Sequence, residues 1–176
     1  MCYTVHFTTV LRCRAASWQL FVTVALFMMA RGTMAFAFAD GTHADCIAGG
    51  RPVIEIEAAS GDPIYQLGRT AIAAPTAFGY KITWNVAKLS SLPPEVHDFI
   101  FFHECAHARV PTPDELEANC VGLKEMRAAG RAGFAVEAKL AAFYGPRNSY
   151  WESTLKCASA DAAAAQDRGS RSAPAH

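Results

Sequence analysis

Two imidazoles and a carboxylate fall within five consecutive residues, His103-Glu104-Cys105-Ala106-His107, an H-E-x-x-H pattern. On a helix, residues four apart turn through about 400°, so both histidines lie on one face a single turn apart. That separation lets two imidazoles grip the same zinc ion, while Glu104, about 100° to the side, reaches the water the ion carries. Neutral imidazole suits zinc, and an open fourth position leaves room for a water whose pKa falls to roughly 7. A carboxylate beside that water can take its proton as hydroxide attacks a carbonyl. The plainer alternative is a core helix whose histidines only satisfy hydrogen bonds. A glutamate next to the first of two histidines at this spacing speaks against it.

The motif needs a helix, and the run Pro93-Pro94-Glu95-Val96-His97-Asp98-Phe99-Ile100-Phe101-Phe102 leads into one. Proline in the first turn with acids near the start suits a helix N-terminus. Val96, Phe99, Ile100, His103 and His107 then recur at helical spacing. His97 stands about 240° around that helix from His103, cannot join the ligands and is expected in solvent. Ahead of the helix, Pro52 to Ala58 alternates with period two, with Ile54, Ile56 and Ala58 pointing one way and Glu55 and Glu57 expected on a solvated face. Further extended segments are expected near Arg69–Ala74 and over Tyr80–Val86, the latter placing Tyr80 and Trp84 toward the core. After the metal helix, two more are expected, from about Asp114 to Ala129 and from about Phe134 to Phe143, punctuated by Gly130 and Gly145-Pro146. Strands first and helices afterwards indicate an α+β domain with a small antiparallel sheet.

The chain of 176 residues is formally neutral, but the first 39 contain Arg12, Arg14 and Arg31 and no acid. A basic start, an apolar run from Trp18 to Ala30 and an A-x-A site at Ala37-Phe38-Ala39 make residues 1–39 a secretory signal peptide, with an uncleaved anchor as the alternative. The apolar run is short for a membrane span, and Arg31 interrupts it. Removing those three arginines from the sixteen basic residues leaves thirteen against sixteen acids. A mildly acidic exported domain without a basic stripe excludes nucleic acid as the expected partner. Residues 40–157 form the expected domain, and 158–176, rich in Ala, Ser, Asp and Arg, an expected disordered tail. The location is then periplasmic or secreted, with no stable membrane span after processing.

With His103-Glu104-Cys105-Ala106-His107 followed by Glu115-Leu116-Glu117-Ala118-Asn119-Cys120, the chain resembles small exported bacterial zinc metallopeptidase-like proteins of the gluzincin type. That type carries H-E-x-x-H on one helix and E-x-x-x-D on the next. The likeness takes in the strand before the metal helix and Phe143-Tyr144-Gly145-Pro146, so it covers roughly residues 50 to 150. It implies a three-helix zincin-like core, one zinc ion held by His103, His107 and a glutamate, Glu104 as the base, and a peptide or protein substrate. Asn119 departs from the pattern: it can hydrogen-bond a ligand histidine but cannot lend it a carboxylate's charge. That substitution gives weight to a second reading, a non-catalytic zinc-containing envelope module that keeps the metal helix. The retained Glu104 favours the hydrolase, because a structural site has no use for it.

Either Glu115 or Glu117 could complete the ligand set. Glu115 and Asn119 are i and i+4, so one face offers a ligand and, a turn later, a partner for a histidine. That face continues into Gly122 and Met126, whereas Glu117 is about 200° away on a face with Val121 and Lys124. The order of residues in the resembled motif also favours Glu115, although Thr112-Pro113-Asp114-Glu115 fits a capping box as well. Tyr144, Tyr150 and Arg147 are candidates to polarise a carbonyl, with nothing to choose among them. Four cysteines follow residue 39, Cys46, Cys105, Cys120 and Cys157, and allow three pairings. Cys105 points away from the ligand face and Cys120 lies well around its helix from Glu115. The expected bridges are therefore Cys105–Cys120, stapling the two helices, and Cys46–Cys157, tying the start of the domain to its end.

Overall fold

Period-two alternation ends and helical spacing begins near residue 86, and the fold changes character there. The computed structural model describes residues 34–145 and 148–159. Two short antiparallel ladders come first: β1 (Phe36–Ala37) with β2 (His43–Ala44), and β3 (Ile47–Ala48) with β4 (Arg51–Pro52). A three-stranded sheet follows from β5 (Ile54–Glu57), β6 (Ala71–Thr76) and β7 (Gly79–Trp84), in the order β5-β7-β6. Two one-turn helices, α1 (Pro63–Gln66) and α2 (Val86–Leu89), flank its strands. Three longer helices, α3 (Pro94–Arg109), α4 (Glu115–Ala128) and α5 (Phe134–Tyr144), precede a sixth, α6, over 149–159. The expected mixed α+β class is observed. None of the described helices is long and apolar enough to cross a membrane.

The sheet is mixed rather than antiparallel. β6 and β7 form an antiparallel hairpin in which Ala73 opposes Ile82, but β5 runs parallel to β7, with Glu55 opposite Ile82. After β5 the chain crosses through α1 to the far edge and returns by the hairpin, so the last strand lands in the centre, and β6 is an edge. Helix α3 lies across this sheet and is buried on almost every side from Val96 to Ala108. Phe99, Phe101 and Phe102 on α3 join Phe36, Phe38 and Trp84 in one aromatic core.

The first half of β5 reverses the expected facing, whereas Glu57 is exposed as expected. Glu55 is 2% exposed and Val53 buried, while Ile54 is 41% exposed. The carboxylate is accommodated because each oxygen accepts a hydrogen bond, one from Cys46 N at 2.9 Å and one from Trp84 Nε1 at 3.0 Å. A buried polar group is tolerable only when partnered in this way. His97 is likewise not in solvent: it packs against Phe36 and sits 2.9 Å from Asp98 Oδ1.

All four expected cysteines are bridged, but as Cys46–Cys105 and Cys120–Cys157 rather than Cys105–Cys120 and Cys46–Cys157. Helices α3 and α4 meet through Gly122, which lies against the backbone of Phe102 and His103. Cys120 is about 200° around α4 from Gly122, and Cys105 about 200° around α3 from His103, so the two thiols point away from each other. Cys105 therefore meets Cys46 on the sheet side, and Cys120 meets Cys157 on α6.

Described residues continue past both outer boundaries of the expected domain. Most of the signal segment lies outside the described residues, but Phe36 and Phe38 of its last six residues are buried in the core. Ala158 is not tail: it is buried within α6, and its carbonyl accepts from Arg127 Nη1. Residues 160–176 of the expected tail lie outside the described residues.

Candidate metal centre

The H-E-x-x-H segment falls in the last two turns of α3, with both histidines on the face turned toward α4. Only seven residues separate His107 from Glu115, so the chain turns sharply through Pro111 and Pro113. Asp114 caps α4, accepting from the amides of Leu116 and Glu117. Glu115 is thus relieved of capping and projects from the first helical position toward the histidines. Its Oε2 lies 3.1 Å from His103 Nε2 and 3.5 Å from His107 Nε2, and the two Nε2 atoms are 3.2 Å apart. One ligand atom from each of the three residues lies within 4.8 Å of the others. Glu117 is exposed on the other side of α4.

The outward nitrogen of each imidazole is spoken for. His103 Nδ1 is 2.8 Å from Asn119 Oδ1, and His107 Nδ1 is 2.7 Å from the Thr112 carbonyl. Both partners are acceptors, so each Nδ1 carries the proton and each Nε2 is left with its lone pair facing inward. Two imidazole lone pairs and a carboxylate therefore converge with no donor among them. Such a set is stable around a cation, and two nitrogens and one oxygen are the donor types of an open zinc site. Without a metal, a proton takes that place. Burial opposes a charged His103, but Glu115, Glu104 and Asn119 outweigh it and raise its pKa above the ordinary imidazole value. Glu115 is held down at about 2, chiefly by its hydrogen bond with His103, with burial acting the other way.

Glu104 is buried beside the triad, on the wall of a cleft of about 650 Å³ that runs beneath β6. Its Oε2 accepts a 2.7 Å hydrogen bond from Ala73 N on that edge strand. Burial raises its pKa, with the neighbouring histidines and the Ala73 amide pulling the other way. A carboxylate with enhanced basicity, held at the wall of an accessible cleft, is equipped to accept a proton from water.

His103, Glu104, His107, Glu115 and Asn119 thus come together, while the four cysteines lie away from them and serve the scaffold. Tyr150 lies near enough to Glu115 and Asp114 for their charges to add to burial in raising its pKa; burial alone lifts Tyr144 to about 12. Arg147 lies outside the described residues. Two contributors have no signature in the sequence, the Ala73 amide and the Thr112 carbonyl, because backbone groups carry no residue-type signal. No protein-family model, curated protein or solved structure matches this chain.

Proposed function

We propose that this is an exported zinc-dependent hydrolase of the zincin kind, acting on peptide bonds, with His103, His107 and Glu115 as metal ligands and Glu104 as general base. The observation that carries this reading is the convergence of two imidazole nitrogens and a carboxylate oxygen beside a buried glutamate in an open cleft. Zinc bound there supplies Lewis acidity, lowering the pKa of water to roughly 7 and polarising a carbonyl. The chain's own residues do the rest. Asn119 and Thr112 fix the imidazole tautomers, the Ala73 amide orients Glu104, and Glu104 takes the proton released as water attacks the carbonyl and passes it to the departing amine. Two disulfides support an oxidising location, periplasmic or extracellular.

A second reading draws on Asn119, which orients His103 without adding charge: a metal-binding module that performs no reaction. One pair of measurements separates the two. Metal content and hydrolysis of a quenched fluorescent peptide library are determined for the wild type and Glu104→Gln. Equal zinc with activity reduced by at least about a hundredfold in the variant supports the hydrolase, since positioned general bases contribute roughly 10²–10⁴. Zinc-loaded wild type that cleaves nothing in the library overturns it.

A further inference from the structure

On the side of the triad facing α5 and α6 lies a second cavity of about 350 Å³, walled by Ile100, Tyr144, Tyr150 and Trp151. His103 and Glu115 line it just as they line the cleft beneath β6. Two of its aromatic walls, Tyr144 and Trp151, are packed in place. The rings of Tyr144 and Trp151 stack at 5.0 Å with planes 18° apart, and Phe99 meets both edge-on from the core. Asn148 joins the end of α5 to the start of α6, donating to the Tyr144 carbonyl and accepting from the Tyr150 amide. None of this serves the chemistry assigned to Glu104 and the metal ligands.

We propose that this cavity receives the aromatic side chain of the residue next to the scissile peptide bond, so that the substrates are peptides with Phe, Tyr or Trp at that position. The inference rests on the hydrolase reading above. The volume falls at the small end of ligand pockets and suits one ring. Aromatic walls, two of them packed against Phe99, favour a ring that packs offset or edge-on over an aliphatic chain of equal size. Because His103 and Glu115 border the cavity, a ring seated there belongs to a residue whose peptide bond lies at the metal ligands.

Binding can be tested apart from hydrolysis. The ¹⁵N-labelled protein, stripped of metal by chelation, is titrated with the N-acetyl amides of phenylalanine, leucine and alanine while the Trp151 indole N–H is followed by NMR. The phenylalanine amide should bind at least tenfold more tightly than the alanine amide and shift the Trp151 signal. Tyr150→Ala, at a 42% exposed position that need not disturb folding, should weaken it at least fivefold, and Tyr144→Leu should do the same. Equal affinity for all three amides, or shifts confined to Ile72 and Ala73, overturns the proposal. The two readings fail separately. Hydrolysis with no aromatic preference removes the pocket assignment and leaves the reaction. Selective ring binding in a protein whose zinc-loaded form cleaves nothing keeps the pocket as a binding site and removes the reaction.

Discussion

At His103 the two groups that set the imidazole's position both come from α4, and each offers a separate test. Asn119 Oδ1 orients the ring, and loss of such a partner typically weakens metal affinity 10–100-fold. Asn119→Ala should therefore weaken zinc binding by roughly that factor, whereas Asn119→Asp should strengthen it by adding a charge; chelator competition measures both. An aspartate variant that binds more weakly than wild type would refute this account of the residue. Gly122 sets the distance between the helices: a Cβ there would lie 2.9 Å from His103 N and 3.0 Å from the Phe102 carbonyl carbon. Gly122→Ala gains up to about 1 kcal/mol in helix propensity, but overpacking of this kind typically costs about 1–3 kcal/mol. Net destabilisation in urea titration is expected, together with weaker zinc binding as His103 is displaced from Glu115. Helical spacing separated Glu115 from Glu117, and the order of residues in the resembled motif pointed to Glu115 as the one on the histidines' side. Glu55 was illegible for the opposite reason: its partners are a backbone amide and an indole brought in by the tertiary fold, and alternation alone does not say which face is buried.

The first described strand belongs to the domain as an element, although the sequence reads it as the end of a leader. Met34 N donates to the Glu55 carbonyl, Ala39 N donates to Asp98 Oδ1, and the Arg131 guanidinium lies 3.7 Å from the centre of the Phe38 ring. A cut after Ala39 would remove Phe36 and Phe38 from the core, forfeiting roughly 1.5–3 kcal/mol for each buried ring. A domain has only about 5–15 kcal/mol in hand. A chain beginning at Met34 should therefore unfold at a markedly higher temperature than one beginning at Asp40, and N-terminal sequencing of the protein purified after expression of the full chain should find a terminus upstream of Phe36. Equal melting temperatures would show that the strand is dispensable. Small residues alternating with phenylalanine satisfy a cleavage motif and a buried strand equally well, so local pattern could not separate them. Cysteine pairing was hidden for a related reason. Helical angles say where each thiol points, but only the contact at Gly122 tells which faces meet.

Over the whole molecule, the three strands of the sheet and the helices α3, α4 and α5 were legible, whereas the short ladders β1–β4, the one-turn helices, α6 and the arrangement of all of them were not. Helical spacing behind a proline start found α3, and punctuation by Gly130 and Gly145 set α4 and α5 to within a residue of their observed bounds. The parallel pairing of β5 with β7 depends on a crossover through α1, which leaves no local trace in composition. The resulting architecture bears directly on what a metal would do. Its ligands come from the end of α3 and the start of α4; α3 is tied to the sheet side by Cys46–Cys105, and α4 to α6 by Cys120–Cys157. A cation held by His103, His107 and Glu115 would add a link between α3 and α4 beyond their contact at Gly122 and the Asn119–His103 hydrogen bond. Binding to the folded state alone stabilises by about 2.7 kcal/mol at a hundredfold excess of free ligand over Kd. For a domain of this size, that corresponds to a rise in melting temperature of about 8–15 °C. Zinc should raise the melting temperature of the metal-stripped wild type by that amount, and a chelator should reverse it. Glu104→Gln should retain the full shift, because Glu104 is not a ligand, while Glu115→Gln should lose most of it. A Glu115→Gln protein stabilised by zinc as strongly as the wild type would place the metal elsewhere and remove the basis for the proposed chemistry.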